Sequence, residues 1–111
     1  MRWTLLVALL LLAGCVGSGS SAQVRFTGGS GDFDADLDCG DSMDLFVDID
    51  AASGELLFAV LDGDDEPAIV YDRSGEEMED VDVTLRGAAG NWKLAGHYGN
   101  MDGSGLIRIS C

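Results

Sequence analysis

The chain predicts an all-β protein, a small antiparallel β-sandwich of about eight short strands. Three observations carry this. From Gln23 onward, apolar residues recur at every second position, not at every third or fourth. Clusters of Gly, Asp, Asn and Ser interrupt the alternation roughly every eight to twelve residues. No stretch after residue 22 carries a helical period long enough for a stable helix. Short strands with frequent turns are the pattern of sandwiches and small barrels.

The elements follow in order. Val24 and Phe26 alternate with Gln23, Arg25 and Thr27, and Gly28-Gly29-Ser30-Gly31 turns the chain. Residues 32–39 alternate without a fault. Phe33, Ala35, Leu37 and Cys39 take one side, and Asp32, Asp34, Asp36 and Asp38 the other. After Gly40-Asp41-Ser42, the residues Met43, Leu45, Val47 and Ile49 face in. Asp44, Phe46, Asp48 and Asp50 face out, and 51–54 turns again. Residues 55–61 are apolar on both faces, which predicts a central strand or one covered by a neighbour. An acidic loop, 62–67, leads to a short strand over 68–71. Residues 74–79 form a polar loop with room for one helical turn. Val81, Val83 and Leu85 then face in, and 87–90 turns. Trp92, Leu94, Gly96 and Tyr98 alternate inward, which assigns Trp92 to the core rather than to a binding platform. A loop over 99–105 precedes the closing strand, 106–111.

The segment before this domain reads as an export signal. Arg2 supplies a positive start, and residues 3–13 are apolar apart from Thr4. At about 1.5 Å per residue the run covers barely half of a ~30 Å hydrocarbon core, so it is too short to span. Its length is that of a signal-peptide core. Leu12-Ala13-Gly14-Cys15 resembles the lipobox of bacterial lipoproteins. The resemblance implies removal of residues 1–14, a diacylglycerol on the Cys15 thiol, and a fatty acyl chain such as palmitate on its new amino group. Two or more acyl chains hold a protein on a membrane where one does so only marginally. Val16 after the cysteine, rather than Asp, implies passage to the outer membrane in a host that has one. Residues 15–22, with Gly17-Ser18-Gly19-Ser20-Ser21, form the lipidated cysteine and a flexible tether, and 23–111 the domain. The expected location is the cell envelope.

Removing residues 1–14 leaves 97 residues, enough for one domain. Five basic residues then face twenty acidic ones, a formal charge of −15. Phosphate recognition needs basic clusters, so nucleic acid is excluded as a partner. Cationic partners, divalent metals, or solubility in a salty medium remain. Once Cys15 is lipidated, Cys39 and Cys111 are left, both on inward faces. That parity predicts a disulfide in an oxidising envelope. Closing a loop of about 70 residues, it would add roughly 4 kcal/mol.

Gly90-Asn91-Trp92-Lys93-Leu94 and Gly105-Leu106-Ile107-Arg108-Ile109 resemble strands of jelly-roll accessory modules, the pre-peptidase C-terminal domains among them. That resemblance implies a jelly-roll-like sandwich that binds glycan, protein or calcium without catalysis. For calcium, the row Asp32, Asp34, Asp36, Asp38 fails the helix-loop-helix pattern. Counting from Asp34, its Gly and Glu places hold Cys39 and Leu45. Such a row on a strand reads first as edge protection. Asp62, Asp64, Asp65 and Glu66, in a loop with Gly63, are the better metal ligands. A small hydrolase is the alternative outside the binding class. The sequence has no Gly-x-Ser-x-Gly elbow. Its one histidine, His97, faces outward, with Asp102 as the nearest acid for a dyad. The reading is a membrane-anchored, non-catalytic binding or scaffold module. Its partner is an unidentified protein or glycan, with a cationic one favoured by charge.

Overall fold

The computed structural model describes residues 20–111. Five antiparallel strands build it: β1 (Ser21–Cys39), β2 (Ser42–Leu61), β3 (Pro67–Ser74), β4 (Val81–Arg86) and β5 (Gly90–Ser110). A single 3₁₀ turn, Gly75–Glu77, lies between β3 and β4. Three strands are far longer than the usual five or six residues. β1, β2 and β5 run for 19, 20 and 21 residues.

Length and strand number have one explanation. All eight alternating segments are present, but six of them are joined in pairs. The stretches 28–31, 51–54 and 99–105, expected as turns, are bends inside continuous strands. The pairing register slips between Thr27 and Gly31 on β1 and between Ala51 and Glu55 on β2. Gly28, Gly29, Gly54, Asn100 and Gly103 all take positive φ at these bends. Bulges of this kind turn a strand through a corner into a second layer. Gly103 shows why glycine is needed. Its φ is 145°, and a side chain there would run into the Asp50 carbonyl and Ala51.

The corners fold the sheet onto itself. In the first layer the order is β1 (21–27), β5 (104–110), β2 (42–50), β4. In the second it is β1 (31–39), β5 (90–98), β2 (55–61), β3. This is the strand order of a jelly roll. Inward residues of both layers merge in one core that includes Leu45, Val47, Ile107 and Ile109 from the first and Leu56, Phe58, Trp92 and Leu94 from the second. Near the corner the Phe26 ring of the first layer stacks on Tyr98 of the second, centroids 4.6 Å apart. Trp92 is fully buried, and its indole N–H donates to the Gly40 carbonyl at 3.1 Å. Val83 faces inward as expected, yet it stays 41% exposed because β4 is an edge strand.

At the end opposite the corners, Cys39 and Cys111 form a disulfide with Cα atoms 5.7 Å apart. It ties the end of β1 in the second layer to the chain end beyond β5 in the first. Ser20 and Cys111 exchange two backbone hydrogen bonds beside it, at 2.9 and 3.0 Å. Strand β1 therefore begins at Ser21, two residues before the expected domain boundary, and Ser21 and Ala22 leave the tether. The expected signal segment, Cys15 and the rest of the tether lie outside the described residues. Among the described residues, no helix is long and apolar enough to cross a membrane.

Candidate functional site

The acidic loop sits at the disulfide end, and its geometry is that of a turn held by one carboxylate. Asp62 is buried. Its Oδ1 accepts from the backbone amides of Asp64 and Glu66, at 2.9 and 3.1 Å, and its Oδ2 from that of Ala88, at 2.9 Å. The Ala88 and Glu66 amides, with a further contribution from Asp64, hold the Asp62 carboxyl below its ordinary range, against the opposing effect of burial. Gly63 lies so close to the 87–90 turn that a side chain would strike the Ala89 carbonyl. The two loops are thus locked together, and Asp62 is the pin.

The four expected metal ligands do not converge. Asp62 spends both oxygens on amides. Asp65, at a φ of 62°, turns to Lys93 and accepts from its ammonium at 2.7 Å. Asp64 and Glu66 are exposed. Among the described residues no three His, Cys, Asp or Glu side chains are gathered in a metal-holding arrangement.

The aspartate row lies on β1, which pairs with β5 alone. Asp32, Asp34, Asp36 and Asp38 are all exposed along this edge. Charged residues at an edge discourage pairing with another chain, so the row has the position that edge protection requires. His97 is exposed on the neighbouring strand. Its partner is Asp32, with Nδ1 2.8 Å from Oδ1, and not Asp102. Phe46 lies half-buried on the outside of the first layer, with the Arg108 guanidinium 4.8 Å from its ring centre.

The outside of the second layer holds what the residue pattern did not single out. Three rows cross its strands. Asp32, His97, Leu57 and Asp72 stand opposite one another in the first, and Asp34, Ala95, Ala59 and Val70 in the second. Asp36, Lys93 and Leu61 make the third. Leu57 is 47% and Val70 61% exposed. A shallow depression of about 380 Å³ lies over Leu57, Ala59, Val70 and Ala95. It continues into a second over Asp34, Asp36, Lys93 and Ala95, and into a third over Glu55, Leu57, Asp72 and His97. The signal was present in the apolar run Leu56 to Leu61. It correctly predicts a central strand, because β2 lies between β5 and β3. Its outward residue Leu57 is nevertheless open to solvent among the described residues. No protein-family model and no curated protein matches the chain.

Proposed function

We propose that this protein is a lipid-anchored module of the bacterial cell envelope that binds or scaffolds without catalysis. Cys15 carries the lipid, by resemblance to the lipobox, and 20–111 is the working domain. The observation that supports the reading is the backbone pairing of Ser20, five residues after Cys15, with Cys111 at the disulfide end. Five extended residues reach at most about 18 Å. Ser20 leaves from the disulfide end, so that end stands nearest the bilayer, and the corners point away from it. A disulfide that closes the domain suits an oxidising compartment.

Intact mass of membrane-extracted protein tests this. The expected mass lacks residues 1–14 and carries acyl chains, and Cys15→Ala shifts the protein from the membrane to the soluble fraction. A mature chain with no acyl mass would end the anchor reading. The rival of a small hydrolase rests on His97, whose side-chain partner is Asp32 and which shares a depression with Ser74 without a hydrogen bond to it among the described residues. It would be revived by a hydrolytic activity that His97→Ala abolishes.

A further inference from the structure

We infer that the outside of the second layer is a docking surface for a cationic, apolar segment of a partner protein. The inference rests on reading the domain as a binding module, and it names the surface and the chemistry of the partner. The apolar strip is the site. Leu57, Ala59, Val70 and Ala95 form a continuous band across three strands, open to solvent at its two largest side chains. Small residues in its middle leave the depression, with Leu57 and Val70 as its raised wall. Side chains of leucine or valine size fill such a trough and shed water from both surfaces.

Charge decides what kind of partner carries those side chains. Asp34 and Asp36 border the strip along β1, Asp32 and Asp72 end the row through Leu57, and Glu55 stands beyond it. The lysine and arginine that border this face are already engaged. Lys93 holds Asp65, and Arg73 donates to the Asp72 carbonyl with its guanidinium 5.7 Å from the Tyr71 ring centre. A partner must therefore bring its own cations. Lysine or arginine alternating with apolar residues would place apolar groups on the strip and ammonium or guanidinium groups over the aspartates. A second copy of this chain is the wrong sign, because it would set one acidic border against another. A glycan is a poor fit here. Trp92 is fully buried and Tyr71 buried, and Phe46 belongs to the other face, so among the described residues this face offers no exposed Trp, Tyr or Phe ring for a sugar to stack on.

The test uses the mature chain, residues 15–111, with Cys15→Ser for solubility. The probes are fluorescent twelve-residue peptides of alternating Lys-Leu, Lys-Ser and Glu-Leu, followed by anisotropy. Lys-Leu should bind at least tenfold more tightly than Lys-Ser, and Glu-Leu should not bind. Leu57→Ser with Val70→Ser should weaken Lys-Leu at least tenfold with the melting temperature unchanged. Asp34→Asn with Asp36→Asn should also weaken it, and raised salt should weaken Lys-Leu less than it weakens Lys-Ser. Equal binding of Lys-Leu and Lys-Ser would overturn the proposal, since charge alone would then explain it. So would unchanged binding by the Leu57/Val70 variant, or a dimer in sedimentation that this variant dissolves. Acyl mass on Cys15 is read separately, so failure of the anchor and failure of the surface are distinguishable.

Discussion

The two outer faces of the sandwich are built from the same three long strands, yet they are finished differently. On the first layer, Arg25, Arg86 and Arg108 stand among Asp44, Asp48, Asp50 and Asp82. Its outward aromatic, Phe46, lies beside the guanidinium of Arg108. On the second layer the apolar residues Leu57 and Val70 are open, and Asp32, Asp34, Asp36, Glu55 and Asp72 outnumber Lys93 and Arg73 around them. A face that mixes both signs and shields its own apolar side chains is a solvated surface. A face with an open apolar centre and a mostly acidic border is the one on which the proposed docking rests.

On β2 inward and outward residues are neighbours, so substitutions there separate the two faces most sharply. Phe58 is almost fully buried and stacks on Tyr71, centroids 4.9 Å apart. Phe58→Ala should cost up to ~5 kcal/mol in denaturant unfolding. Leu57→Ser, one residue away, should stay within about 0.5 kcal/mol. A large loss at Leu57 would mean that this face supports the fold, and the contrast between the faces would collapse.

The disulfide comes next. Cys39→Ser with Cys111→Ser should lower stability by roughly 4 kcal/mol, because the loop it closes is long. Limited proteolysis should then cut first near the Ser20–Cys111 pairing. Cleavage first at the corners would show that the bends, rather than the stapled end, are the weak point.

A smaller effect belongs to Asp62. Its carboxyl is held below the ordinary value near 3.9, so folding favours the ionised form. The stability it adds is complete above that ordinary value and is lost as pH falls through the lower folded value. Asp62→Asn should therefore melt below the parent at pH 7, and the gap should close on acidification below about pH 4. A gap that persists there would mean that the side chain acts by shape and not by charge. Added calcium should leave the parent's melting temperature where equal ionic strength of a monovalent salt leaves it, since the Asp62 oxygens are already satisfied.

The smallest expected change is at His97. Its contact with Asp32 is exposed on both sides, so His97→Ala should shift stability by only a few tenths of a kcal/mol, read by denaturant titration. A loss above about 1 kcal/mol would assign the pair a structural role on the second layer that solvent-exposed pairs do not have.

Much of this was legible in the residue pattern, and for one reason. Side chains alternate across a strand, so parity alone assigns a face. Parity put Trp92, Leu94, Ile107 and Ile109 inside, set Cys39 against the core though its disulfide partner Cys111 lies exposed, and placed the four aspartates on a solvent side. What parity cannot do is say whether a glycine-rich stretch ends a strand or bends it. Gly28-Gly29-Ser30-Gly31 satisfies both, and only the continued pairing of β1 with β5 on either side shows a corner. Nor does parity reveal an acid's partner. Asp62 reads as one acid among four in its loop, and only the fold shows that the amide of Ala88, 26 residues away, donates to one of its oxygens.

The amino-acid sequence by itself determined an all-β fold, its inward residues and the pairing of its two domain cysteines, because these follow from alternation and count. The tertiary structure decided that eight segments make five strands, that His97 meets Asp32, and that Leu57 on β2 stays open among the described residues. Those depend on which strands become neighbours, and neighbours are chosen by the packing of distant residues.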